Sequence, residues 1–414
     1  WWLFSKPMIR VINSLWLIFL ILNNSCNSNF KMKEKQLLIK SNKLSKKFII
    51  VDGHIDLPYR LKEAGYLKKN KILDLTKETD GDFDYAKSKR GGLDAPFMSI
   101  YIPAEFQKSG GAKKLADSLI NLVIKITNSF PTKFALANNP SDIKDNFSKG
   151  LISLPMGIEN GAAIEKKLEN IDYFFERGIR YITLTHGKDN AICDSSYDSI
   201  KTWNGLSPFG RKVISKMNSV GMMIDISHVT DEAFYQIIEI SRTPVIASHS
   251  SPRKFTPGFE RNMSDDMIIK LAESNGLILI NFGSSFVNEL SNKKFDQIDR
   301  KVENWKIKNK INDIKEINKF KNRIIEEEKP FATIENVINA IDHVVKLVGI
   351  DHVGFGSDFD GLGNTLPYNL KNVSDYPNVI LGLLKKNYSE EDIEKICYKN
   401  LFRTWNEILE FSKD

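Results

Sequence analysis

Cysteine is scarce. Three residues in a chain of 414 cannot staple a fold of this length, so a disulfide scaffold is excluded and stability must come from a buried core. Long hydrophobic runs are missing too. The longest, Leu15-Trp-Leu-Ile-Phe-Leu-Ile-Leu22, falls short of the ~20 residues that cross a bilayer as a helix. No GxGxxG follows the first strand-like run and no GxxxxGK(S/T) occurs, which removes the main support for nucleotide-binding readings. Acidic and basic residues nearly balance, with a net charge of only +7. Apolar and charged contents of 42% and 27% are those of an ordinary folded protein, which excludes disorder and collagen-like classes.

The small positive charge is unevenly placed. Residues 1–25 carry +2, residues 26–47 carry +6, and residues 48–414 carry −1. The main body therefore has no broad cationic face for nucleic acid. Arg10, the apolar run to Leu22, and Asn23-Asn24-Ser25 before Cys26 have the order of an export signal. Leu22 and Ser25 before Cys26 resemble a bacterial lipoprotein signal. The expectation is a signal peptide over 1–25, a lipid on Cys26, and a membrane-anchored protein on the periplasmic or outer surface. Residues 26–47, with seven lysines against Glu34, read as a solvated tether. Residues 48–414 then form one domain.

In that domain eight short apolar runs alternate with amphipathic stretches. The runs are Phe48–Val51, Phe97–Ile102, Leu151–Leu154, Tyr181–Thr185, Met222–Ile226, Val245–Ala247, Leu277–Ile280 and Val353–Phe355. Their length and β-branched content suit buried parallel strands. Helical patterns at 209–219, 230–241, 264–274 and 333–347 lie between them. Repeated alternation of this kind predicts a (β/α)8 barrel, ahead of a doubly wound open sheet. One segment breaks the rhythm. Residues 291–329, charged but with spaced Phe295, Val302, Trp305 and Phe320, predict a helical insertion after strand seven. Its plain role is a solvated hairpin; its functional role is a lid or dimer contact.

Four of the six histidines, His54, His186, His228 and His249, directly follow strand-like runs. Active sites of (β/α)8 barrels gather at those strand ends. His54 and Asp56, two apart on an extended segment, point to one face and can chelate a metal such as zinc. Glu159, between Gly157 and Gly161, offers two oxygens and can bridge two ions. His228 and His249 each end a strand after a serine. These five residues supply two metal sites: His54 with Asp56, and His228 with His249, sharing Glu159. Paired metals can hold a bridging hydroxide, which is a nucleophile at neutral pH. Asp358 can accept its proton and pass it to a leaving amine, with Asp360 as the competing candidate. His186 can hydrogen-bond a developing oxyanion. Arg261 suits bidentate capture of a carboxylate; its plainer role is a surface salt bridge to Asp265.

Taken together, VDGHIDLPYR, MGIENG, YITLTH, NGLSPFG with GMMIDISHVT, ASHSSPR, RNMSDD and HVGFGSDFDG resemble the membrane (renal-type) dipeptidase family of zinc peptidases. The likeness covers about residues 48–405. It implies a barrel with two Zn2+ and metal roles for His54, Asp56, bridging Glu159, His228 and His249. It also implies oxyanion or substrate contact by His186, carboxylate recognition by Arg261, proton transfer by Asp358, and a homodimer. Three departures stand out: Ile55 where Asn is frequent, Ser357 where Gly is common, and Tyr398-Lys399-Asn400 for a usual Gly-Gly-Asn. The expected activity is hydrolysis of dipeptides outside the cytoplasm. The alternatives are a barrel hydrolase of cyclic amides, lactones, β-lactams or phosphoesters, and a non-enzymatic surface lipoprotein on a dead barrel.

Overall fold

The computed structural model describes residues 32–68 and 71–413; the expected signal segment and Cys26 lie outside them. Among the described residues ten strands run in chain order. They are β1 (Val51–Ile55), β2 (Ala95–Tyr101), β3 (Phe134–Leu136), β4 (Ile152–Leu154), β5 (Met156–Glu159), β6 (Ile179–Thr183), β7 (Met223–Asp225), β8 (Val245–Ser250), β9 (Leu277–Ile280) and β10 (Val353–Phe355). Eight of them close a barrel in the order β1-β10-β9-β8-β7-β6-β5-β2, with every pair parallel. The predicted (β/α)8 barrel is the observed fold.

One strand is corrected. Leu151–Leu154 does not enter the barrel: Ile152–Leu154 pairs with β3 in a separate two-stranded sheet. The chain turns at Pro155, whose carbonyl accepts from Met98 N, and Met156–Glu159 becomes the third barrel strand. Its Gly and Glu leave too little apolar signal to mark it as a strand. Gly157 is required there, because a Cβ would lie 2.1 Å from the Tyr181 ring crossing the barrel interior. The first strand also begins later than the apolar run suggests, at Val51.

The helices at 208–220, 231–240, 265–273 and 334–348 follow the sequence pattern closely. Ser207, Thr230 and Ser264 cap the first three by accepting from the backbone N–H three residues on, satisfying otherwise orphaned donors. Their apolar faces pack on the outside of the strands in one large core. A second core fills the bottom of the barrel, where Val51, Phe97, Tyr181, Met223 and Leu277 meet Phe402 and Trp405 of the last helix.

The tether reading is corrected over 32–47, which is helical. Leu44, Ser41 and Ser45 are fully buried. The small serines let the helix lie against the Gly91-Gly92 turn, where a Cβ on Gly92 would sit 1.8 Å from Ser45 O. Lys46 donates to Lys89 O and Arg90 O, while Lys40 and Lys47 pair with Glu390. The lysines that suggested a solvated segment thus rim a docked amphipathic helix. No helix among the described residues is long and apolar enough to cross a membrane.

The insertion is two helices, Glu289–Asn309 and Ile314–Glu328. They share a small core of Phe295, Ile298, Val302, Ile324 and Ile325 and stack Trp305 on Phe320 at 4.1 Å. Cys193 and Cys397 are buried free thiols.

Candidate metal centre

Every predicted site residue, the competing Asp360 included, lies at the C-terminal rim of the barrel. His54 lies in β1 and Asp56 just beyond it; Glu159 ends β5; His186 and His228 follow β6 and β7. His249 lies inside β8, where a register shift between Ala247 and Ser250 interrupts the pairing with β9.

Glu159 is the hub. Its Oε2 lies 3.4 Å from His54 Nε2. Its Oε1 lies 3.1 Å from His228 Nε2, 3.4 Å from His249 Nε2 and 3.5 Å from His186 Nε2. One carboxylate therefore faces two sets of nitrogens with different oxygens. Asp56 Oδ2 is 3.4 Å from His54 Nε2. His228 Nε2 and His249 Nε2 stand 2.9 Å apart.

Three overlapping donor groups lie within ligating range: His54, Glu159 and His249; Glu159, His186 and His228; His54, Asp56 and Asp358. The five expected ligands are all present. The partition differs from the sequence expectation, since His249 also groups with His54, and His186 and Asp358 come within reach. The donor set fits divalent metal. Imidazole nitrogens and carboxylates are zinc ligands. His54 Nε2, Asp56 Oδ1 and His228 Nδ1 are buried without a hydrogen-bond partner, and orphaned buried polar atoms are costly unless something else engages them.

For Glu159, His228 and His249 the electrostatics agree, whereas at His54 burial is outweighed by the facing Tyr181, Glu159 and Asp56, which push it well up. Burial alone would raise Glu159, but the surrounding His54, His186, His228 and His249 outweigh it and hold the carboxyl well below its usual range. Burial, reinforced by Arg261, drives His228 well down. Burial with the neighbouring His54 does the same to His249. Neutral imidazoles and an ionised carboxylate are the forms that ligate. Asp358 moves the other way: burial and the facing Asp56 push it well up.

The supporting shell was mostly missed from sequence. Tyr181 OH sits 2.9 Å from His54 Nδ1 and donates to Gly53 O. Ser248 Oγ contacts His249 Nδ1 at 2.7 Å and donates to Asp225 Oδ2 at 2.6 Å. Asp225 Oδ1 also accepts from Ser227 N and Ser248 N, so one buried carboxylate fixes the approach to both His228 and His249. Asn281 Nδ2 donates to Asp358 Oδ2 at 2.9 Å. Gly361 lets Asp56 and Asp358 approach, since a Cβ there would meet their oxygens at 2.2 and 2.5 Å. The available signal was an acid inside an apolar strand run, Asp225 in GMMIDISH. Asp52 in VDGH is similar; it accepts from His54 N and Ser357 N, so Ser357 is tied into the same framework.

Two expectations resolve at the rim. The Asp360 carboxylate is buried in a strut, its Oδ1 3.0 Å from Arg60 Nε and accepting from Asp82 N, while Asp82 Oδ2 accepts from Asp360 N. It is therefore engaged away from the ligands. Arg261 does not pair with Asp265, which bonds His343 instead. It is 3% exposed and donates to Ser250 Oγ and His249 O at 2.7 and 2.8 Å. Its Nε has no partner, and its guanidinium lies 5.4 Å from the Phe286 ring centre. Four non-glycine residues near this rim have left-handed backbones: Asn160 (φ 83°), His228 (74°), Asp358 (63°) and Asp360 (65°).

A cavity of about 670 Å3 opens above the ligands, lined among others by Tyr101, His186, Arg261 and Asp358. A separate crevice of about 390 Å3 near Phe106 and Phe209 contains none of the candidate ligands.

The model of the membrane dipeptidase family, peptidase family M19, matches residues 38–414. An uncharacterized dipeptidase of Schizosaccharomyces pombe is 29% identical over 371 residues, covering 86% of this chain and 80% of that protein. The crystal structure of a probable dipeptidase, PvdM, from Pseudomonas aeruginosa is 25% identical with a TM-score of 0.78, covering 91% of this chain and 99% of that one. A metallopeptidase from Rhodobacter sphaeroides, solved with a phosphinate mimic of L-Ala-D-Ala, shares the fold at 22% identity and a TM-score of 0.71, over 87% and 99% of the two chains.

Proposed function

The chain belongs to the membrane dipeptidase family and is a metallo-dipeptidase, and on that premise we propose that it hydrolyses dipeptides with two zinc ions held by His54, Asp56, Glu159, His228 and His249, outside the cytoplasm. The observation that carries the binuclear reading is Glu159, whose two oxygens face His54 on one side and three other histidines on the other. When bound, such a pair supplies Lewis acidity and a water acidic enough to deprotonate near neutral pH.

The chain's own residues do the rest. Arg261, held in place by Ser250 and His249, presents its guanidinium to the substrate's C-terminal carboxylate. That anchor places the scissile carbonyl against the ligand cluster and favours substrates only two residues long. His186, edge-on to Tyr101 at 4.7 Å, donates from Nε2 to the carbonyl oxygen as charge develops. Asp358 collects the proton lost by the attacking water and delivers it to the departing amine. Its burial beside Asp56 favours the protonated form needed for that second step. The phosphinate mimic bound by the Rhodobacter protein supports a dipeptide in this cavity, including one with a D-residue. The signal-like run before Cys26 supports export and lipid anchoring, and metabolic labelling with a lipid analogue, lost in Cys26→Ser, checks it.

Metal analysis paired with a dipeptide panel, with and without chelator, tests the reading. Two equivalents of zinc per chain and chelator-sensitive hydrolysis are expected. One equivalent or none in the active enzyme removes the binuclear centre. Arg261→Ala should impair dipeptides far more than carboxyl-amidated analogues; equal loss refutes its role.

A further inference from the structure

The two-helix insertion forms part of the catalytic cavity. Phe295 and Asp299 of its first helix and Lys321 of its second line the same cavity as Arg261, His186 and Asp358. Asp299 and Lys321 bridge the two helices at 2.6 Å. The rest of the insertion is held by its own small core and turns mostly charged residues to solvent. A purely solvated hairpin has no need to place an ion pair inside a substrate cavity.

Its position says which part of the substrate it meets. The first helix begins at Glu289, directly after the short helix Ser284–Val287. Phe286 of that short helix lies against Arg261, and Ser285 and Phe286 line the cavity beside the insertion. The insertion therefore stands over the carboxylate-binding side. Resting on the dipeptidase reading, we propose that Asp299 and Lys321 are specificity-determining residues that face the side chain of the substrate's C-terminal residue. Paired, they neutralise each other, so the enzyme accepts acidic and basic side chains there nearly alike. Lys321 is about one-third exposed and Asp299 more than half, so either can turn to an incoming charge. The salt-bridge energy at such exposure is small, which keeps the exchange of partners cheap.

The test is kcat/KM for Ala-Glu against Ala-Lys, measured on the zinc-loaded full chain, with Ala-Ala as reference. The parent should show a ratio near unity. Lys321→Ala leaves Asp299 unopposed and should shift the ratio towards Ala-Lys, while Asp299→Ala should shift it towards Ala-Glu. Each shift is expected to be roughly fivefold and mainly in KM, the scale of one partly screened unit charge across a water-lined mouth. The double exchange Asp299→Lys with Lys321→Asp keeps the pair and should restore parity, which separates charge reading from damage to the hairpin. Lys306→Ala, which breaks the exposed Lys306–Glu303 pair outside the cavity, should leave the ratio unmoved. A ratio unchanged in both single variants, or moved as far by Lys306→Ala, overturns the proposal while dipeptide hydrolysis stands. A shift seen only for Glu-Ala against Lys-Ala overturns the assignment to the C-terminal side chain. A zinc-loaded parent that hydrolyses none of these dipeptides instead overturns the catalytic reading beneath it.

Discussion

At its N-terminal end the barrel is stoppered by Val51, Phe97, Tyr181, Met223 and Leu277, with Trp405 packed 5.3 Å from the Phe97 ring. At its C-terminal end the same strands present His54, Glu159, His228 and His249, where His54 Nε2 and His228 Nδ1, with the neighbouring Asp56 Oδ1, lack hydrogen-bond partners. The same parallel strands run between the two, with register shifts in the β1–β2, β5–β6 and β8–β9 pairs. What differs is whether the inward side chains satisfy one another. The stopper is nearly self-sufficient: its apolar groups gain by leaving water whatever else is present, with Trp405 Nε1 the polar atom there that lacks a partner. The rim is not: it gathers imidazoles and carboxylates round one cavity and leaves some of their polar atoms without a partner. Tyr181 marks the boundary, its ring in the stopper and its hydroxyl on His54.

Changes at either end should therefore separate activity from stability. The largest effect is expected for Glu159→Gln, which should lower kcat/KM about 10³-fold or more, near 4 kcal/mol of barrel-rim catalysis, and reduce bound metal, while the melting temperature in chelator holds or rises. Substantial activity in that variant breaks the contrast at the rim. Next comes Trp405→Ala, which should cost about 3–5 kcal/mol of stability, read by denaturant unfolding of the metal-free protein. Metal content of the folded fraction should remain at the parental value. Loss of metal without loss of stability would show that the stopper is part of the site. Tyr181→Phe tests the boundary: removing one oxygen should weaken metal binding about 10- to 100-fold in a competitive chelator titration, with little change in unfolding of the metal-free chain.

A last contrast, read only in the pH dependence, concerns one acid at the stoppered end. Burial raises Asp94 to about 7, against the opposing hydrogen bond from Ile50 N. The folded chain then holds a proton that the unfolded chain releases above its ordinary carboxyl pKa. Stability from this group is fully present below about pH 4 and falls as pH rises to about 7. Asp94→Asn should flatten the decline in melting temperature across that window. A slope equal to the parent's would remove Asp94 as its source.

Much of the rim was legible because metal chemistry restricts residue type as well as position. Four histidines after strand-like runs, and HxD on one face, are hard to produce by packing demands alone. The barrel was legible through its apolar runs, except where function had replaced apolar residues: Met156–Glu159 was hidden because Gly157 makes room for Tyr181 and Glu159 is a hub. The helix at 32–47 was hidden for a different reason. Its lysines dominate the composition, and its buried side is carried by Ser41, Leu44 and Ser45, two of them small and polar. The supporting contacts of Tyr181, Asp225 and Asn281 depend on neighbours far along the chain, which local pattern cannot supply.

The left-handed backbones at Asn160, His228, Asp358 and Asp360 bear on how this enzyme could be redesigned. For a side chain such as histidine that conformation costs roughly 1–2 kcal/mol, less for Asn and Asp. Glycine would relax each position at no steric cost. A search that rewards thermal stability alone would therefore accept glycine at 228 and 358 early, and would trade away the proposed metal ligand and the proposed proton carrier for a better-behaved fold. Any stabilisation of this scaffold has to hold those positions fixed and look for its gains elsewhere.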